Sequence, residues 1–101
     1  MALPAIAVHP EAVEEAKAAR DWYAERSLLA AEAFLWELDA AMAHIAATPA
    51  AWPPYAPGTR RYLLRRFPFY VVYRWDQRGD IVVLAVAHGR RRPGYWRQRT
   101  R

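Results

Sequence analysis

The chain has 101 residues, of which 54 % are hydrophobic and 14 % aromatic, and it carries a net charge of +5 without a single cysteine. That length supports one domain around one core. The composition excludes a disordered chain, and the lack of cysteine excludes disulfides and thiolate metal sites. No apolar run approaches the roughly 20 residues of a membrane span, and no charged segment followed by a long apolar one opens the chain, so a soluble, unexported, cytoplasmic protein is expected.

The net charge hides an asymmetry. Residues 1–50 hold Lys17, Arg20 and Arg26 against eight acids, a balance of −5, whereas residues 51–101 hold twelve arginines against Asp76 and Asp80, a balance of +10. The C-terminal half therefore has the charge to meet an anionic partner, either nucleic acid or an acidic protein segment. Arg outnumbers Lys fourteen to one, a bias that a GC-rich genome also produces.

In chain order, the apolar run at residues 3–8 reads as a short strand that His9-Pro10 stops. Pro10 fits the first turn of a helix, and Glu11, Glu14 and Glu15 sit near the positive end of its dipole, which predicts a first helix over residues 10–26. Its inner face is Ala12, Ala16, Ala19 and Tyr23, with Val13 and Trp22 beside it. Ser27 is a suitable cap for a second helix over residues 28–48, whose stripe is Ala31, Phe34, Leu38, Ala41 and Ile45, flanked by Leu35 and Met42. Glu32, Glu37 and Asp39 are expected to point away from that stripe. Two amphipathic helices with almost no connector imply a helical hairpin covering one face of a sheet.

Pro49 ends the second helix, and the Pro-rich, aromatic-bracketed segment 50–59 reads as a packed loop. Three strands are predicted next: residues 60–67, 69–75 and 81–88, with Pro68 between the first two. Asp76 to Asp80, with Gly79, make the turn of an antiparallel hairpin. Strict alternation puts Phe69, Val71, Tyr73 and Trp75 on one face of the middle strand, and Tyr70, Val72 and Arg74 on the other. It likewise groups Ile81, Val83, Ala85 and Ala87 against Val82, Leu84, Val86 and His88. The last strand, apolar on both faces, should lie inside the sheet, and the Arg-rich first one at an edge. Residues 89–101 form a basic tail of the single domain. A brief helix after Pro93 would lay Tyr95 or Trp96 on the sheet, with most of the tail's arginines left solvated.

The order strand, helix, helix and three antiparallel strands comes with specific stretches: R-R-Y-L-L-R-R-F-P-F-Y-V-V-Y-R-W, I-V-V-L-A-V-A-H-G-R-R-R-P-G-Y-W-R, and the earlier W-Y-A-E-R-S, A-E-A-F-L-W-E-L-D-A-A and I-A-A-T-P-A-A-W-P-P. Together they resemble the RelE/ParE family of toxins from bacterial type II toxin–antitoxin systems, over nearly the whole chain. The resemblance implies an α+β fold, β-α-α-β-β-β, with an antiparallel sheet covered on one face by an α-helical hairpin. It also implies growth inhibition and a neutralising antitoxin, as a homodimer or as a hetero-oligomer with that antitoxin. RelE-like members cleave messenger RNA on the ribosome, and ParE-like members block DNA gyrase. The phrase A-V-A-H-G-R-R is closer to the ParE-like side, and a toxin fold kept as an inactive binding module is a third alternative.

Cleaving RNA with its own 2′-hydroxyl requires a base, an acid and cations for the phosphate. The candidates are Arg61, Arg65 and Arg74 as phosphate clamps, with His88 or Tyr95 as proton carriers. The C-terminal half has no Glu and no Lys, a departure from the residues the family's ribonucleases use. Target or antitoxin binding points to Arg60, Arg61, Arg65, Arg66, Arg74, Arg90, Arg91, Arg92 and Arg97. Each also has a plainer reading: His88 as a structural histidine, Arg74 as a stacked or ion-paired side chain, residues 60–66 as a solvated edge, Tyr95 and Trp96 as anchors of the tail. No metal-ligand spacing or Gly-rich phosphate loop occurs, and no cofactor is expected.

Overall fold

A computed structural model of the chain describes residues 6–100. Its elements are β1 (Ile6–Val8), α1 (Pro10–Ala24), α2 (Leu28–Ala47), β2 (Arg60–Leu63), β3 (Phe69–Trp75), β4 (Ile81–His88) and a 3-10 turn at Arg97–Thr100. Residues 3–5 of the expected first strand lie outside the described residues.

Both helices start where local chemistry places them. His9 Nδ1 accepts from the Glu11 amide at 3.1 Å with Pro10 as the first helical residue, and Ser27 Oγ accepts from the Ala30 amide at 3.2 Å. Each cap satisfies an amide that the helix itself cannot. α1 stops two residues earlier than expected because the amides of Arg26 and Ser27 both turn back to the Tyr23 carbonyl, at 2.9 and 2.7 Å. The expected stripe of α2 is buried at every position: Ala31, Phe34, Leu38, Ala41 and Ile45.

The sheet runs β1-β4-β3-β2. β2, β3 and β4 form the expected antiparallel meander, with β2 at an edge and β4 inside; β1 joins β4 in parallel, which makes the sheet mixed. In the β3–β4 turn, Gly79 takes φ 87°, and Asp76 Oδ1 accepts from the amides of Arg78 and Asp80, both at 2.9 Å. The acids of the basic half therefore build a turn.

Two expectations are corrected here. The β2 strand ends at Leu63 instead of reaching Phe67, because Leu64 turns inward and Glu37 of α2 accepts the amides of Arg65 and Arg66. Strict alternation also fails in β4. Val72 pairs with Ala85 while Tyr73 pairs with Val83, so Leu84 is an extra residue and its strand bulges. Ile81, Val83 and Val86 consequently face the helices, and Leu84, Ala85 and Ala87 face the opposite side. His88 keeps company with Val86 as expected, but on the helix side, edge-on to Phe69 with ring centroids 5.0 Å apart.

The core on the helix side centres on Phe34, whose ring lies 5.5, 5.4 and 5.3 Å from Tyr23, Phe67 and Phe69. The other face carries Tyr70, Val72, Leu84, Ala85 and Ala87 under Trp96, which is 1 % exposed and stacks on Tyr55 at 5.4 Å. The tail and the 50–59 loop thus close a second small core, a correction to the single core expected from length, while the burial of Trp96 is as anticipated.

Candidate functional site

The two helices each carry one carboxylate on the buried stripe, and both carboxylates reach across to backbone amides of the sheet region. Glu15 lies between Ala12 and Ala19 at helical spacing, Glu37 between Phe34 and Ala41. Glu37, expected to point away, accepts from the Arg66 amide at 3.1 Å, from the Arg65 amide and from Arg66 Nε at 3.0 Å. Burial pushes its carboxyl up, the Arg66 and Arg65 hydrogen bonds push it further down, and the net shift is downward.

Glu15 seals an edge. β1 covers β4 only as far as Val83, and the His9 amide reaches the Val83 carbonyl at 2.8 Å. Beyond that point Val86 N–H donates to Glu15 Oε1 at 3.0 Å, and the Leu84 carbonyl accepts from Arg99 Nη1 at 3.0 Å. Arg99 binds Glu15 as well, Nη1 to Oε1 at 2.9 Å and Nη2 to Oε2 at 3.2 Å, and the Tyr95 hydroxyl donates to Oε2 at 2.6 Å. This fork-to-fork pair satisfies backbone groups that a strand would otherwise cover. Burial and the hydrogen bond to Glu15 hold the Tyr95 phenol well above its ordinary range; burial lowers the Arg99 guanidinium, but Glu15 more than offsets it. Arg99, only 10 % exposed at its side chain, is the exception in a tail whose Arg90, Arg91, Arg92 and Arg97 are exposed, as expected.

The remaining arginines divide by what they touch. Arg60 Nη1 donates to the carbonyls of Ala50 and Trp52, at 3.3 and 2.7 Å, and so pins the loop. Arg61 lies over the rings of Tyr55 and Tyr70, at 4.2 and 5.3 Å, on the face sealed by the tail. Burial and contact with Tyr55 push the Tyr70 phenol up to about 12. Arg74 sits opposite Val82 on that same face, half-buried. Arg65, Arg66, Arg90, Arg91, Arg92 and Arg97 are exposed. They form two cationic patches, one after β2 and one in the tail.

A cleft of about 410 Å³ opens between α1, the end of the β3–β4 ladder and the tail, with Trp22, Phe69, His88, Arg91 and Tyr95 among its walls. His88 Nδ1 accepts from the Arg90 amide at 3.0 Å, which leaves the proton of the neutral ring on Nε2. Arg91 stands 4.0 Å above the Tyr95 ring. The structure thus brings His88 and Tyr95 together at the edge of the sheet: His88 lies on the face opposite Arg61 and Arg74, whereas the Tyr95 ring packs against the cluster on their face and turns its hydroxyl to Glu15. Arg65 follows β2 at the other edge.

Sequence reasoning did not reach Glu15 or Arg99 as partners. The available signal was a carboxylate inside a helical apolar stripe, which is costly unless paired. Among the described residues no cluster of metal-ligating side chains occurs, and no helix is long and apolar enough to cross a membrane.

No curated protein matches the sequence significantly. A solved structure described as the chromosomal ParDE TA system from P. aeruginosa shares the fold, with a TM-score of 0.62 at 20 % identity, over 85 % of this chain and 96 % of that one. The family described as the ParE toxin of the type II toxin–antitoxin system, parDE, matches residues 6–93. That match spans everything from the first strand through the cationic start of the tail, and the chain belongs to the ParE toxin family of type II toxin–antitoxin systems.

Proposed function

We propose that this toxin inhibits growth by binding, with DNA gyrase as its target, in the cytoplasm, and that an acidic antitoxin segment neutralises it. The observation that carries the reading is the engagement of the proton carriers. The Tyr95 hydroxyl is committed to Glu15 and His88 Nδ1 to the Arg90 amide, and although Arg91 stands beside them, Arg61 and Arg74 lie on the face away from His88. Acid–base cleavage of RNA needs proton carriers and phosphate clamps around one phosphate. Exposed cations on a rigid scaffold suit recognition of an anionic or acidic partner instead.

Expression in a bacterial host, with plasmid supercoiling and transcript integrity followed together, tests the target. Loss of negative supercoiling with intact transcripts is expected; cleaved transcripts with normal supercoiling would assign the chain to the ribonuclease branch. Antitoxin association should slow markedly from low to high salt, since its encounter is steered by charge. A salt-independent rate would remove the arginines from the docking surface.

A further inference from the structure

We infer that the cleft between α1 and the β3–β4 end is a socket for one aromatic anchor of the acidic antitoxin segment, with flanking carboxylates held by the tail arginines. The inference rests on the antitoxin reading above and adds where and by what chemistry the partner is gripped. A volume of about 410 Å³ falls in the range of pockets that take a ring-sized group. Aromatic rings from three elements, Trp22, Tyr23, Phe69 and Tyr95, line it, and small residues of α1, Ala18 and Ala19, keep it open. Trp22 is 52 % exposed at the rim, so apolar surface there gains from being covered.

Charge selects the occupant. Glu15, the acid in the wall, has both oxygens engaged by Val86 N–H, the Tyr95 hydroxyl and Arg99, so it neither binds nor strongly repels a ligand. The other acids of α1 are also matched: Glu11 with Arg99 at 3.4 Å, Glu14 with Lys17 at 3.3 Å and Asp21 with Arg20 at 2.9 Å. The cleft wall also holds Arg91 and His88, and Arg90 and Arg92, next to Arg91 in the chain, are exposed. An apolar ring entering the cleft would bring acidic neighbours within reach of these donors. The exposed apolar residues of α2, Leu28, Leu29 and Trp36, are interspersed with Glu25, Glu32 and Asp39, and suit an acidic partner poorly.

The test uses two acetylated, amidated pentapeptides, Glu-Glu-Phe-Glu-Glu and Glu-Glu-Ala-Glu-Glu, titrated into the full chain. Binding is read from the side-chain NMR signals of His88, Tyr95 and Trp22. The Phe peptide should shift these signals and bind roughly tenfold or more tighter than the Ala peptide. Ala18→Phe, at an exposed helix position, should fill the cleft and lower affinity by a similar factor with an unchanged melting curve. Arg91→Glu should weaken both peptides. Equal affinity of the two peptides, no effect of Ala18→Phe in a folded variant, or shifts confined to a separate cleft lined by His44, Trp52 and Tyr62 would each overturn the socket. Those results would leave the antitoxin reading standing, which fails separately if the protein encoded beside this one neither binds nor neutralises it.

Discussion

The two faces of the sheet are closed by different means. On one, two helices spanning residues 10–47 lay a continuous apolar stripe over Val71, Tyr73, Ile81, Val83 and Val86. On the other, a short tail and a Pro-rich loop place Trp96 and Tyr55 over Tyr70, Val72, Leu84, Ala85 and Ala87. The first cover is a repeat of small contributions spread over many turns; the second concentrates burial in one indole. No α-helix covers the tail side among the described residues, and a large aromatic is a compact substitute. The difference also sorts charge. The helices carry the acids, and the tail side retains arginines held over aromatic rings, as Arg61 is over Tyr55.

If burial on the tail side is concentrated as described, Trp96→Ala should have the largest effect, about 3–5 kcal/mol, comparable with Phe34→Ala under the helices. In a domain of this size that lowers the melting temperature by more than about 10 °C. A cost near zero in thermal melts would show that the tail does not form a second core.

Arg99→Ala breaks the seal on the β4 edge and should cost about 2 kcal/mol, since it leaves Glu15 partly buried without its cation. Removing residues 97–101 should cost at least as much. An unchanged melting temperature for the truncated chain would mean that the edge is satisfied by solvent and not by Arg99.

Glu37→Gln tests the matching device on the helix side and should cost about 1 kcal/mol at neutral pH. The folded-state carboxyl is shifted down, so its stabilisation is fully present above the unfolded pKa and is lost as pH falls through the folded pKa. The gap between variant and parent should therefore close in acid, below about pH 4. A gap of constant size across that range would assign the effect to packing rather than to charge. The smallest effect is expected on the outer surface of the hairpin, where Trp36→Ala and Leu29→Ser should stay within about 0.5 kcal/mol of the parent. A larger loss on chemical denaturation would reveal a third packed surface.

What the sequence by itself determined is what repeats along the backbone. The helical stripe from Ala31 to Ile45, the start of α1 at Pro10, the cap at Ser27, the Asp76–Asp80 turn, the interior position of β4 and the burial of Trp96 all follow from local spacing and side-chain size. The candidate site was legible as composition, a set of arginines with one His and one Tyr, because charge is visible without coordinates. What only the tertiary structure decided is where periodicity breaks and which distant groups meet. The bulge at Leu84 turns Val86 and His88 toward the helices, a shift of one residue that no local pattern announces. Glu15 and Glu37 look like ordinary helix acids until β4 and the β2–β3 turn present amides with no strand beside them. Those partners lie 71 and 28 residues away in the chain, and a hydrogen bond across such a distance is set by the packing of whole elements.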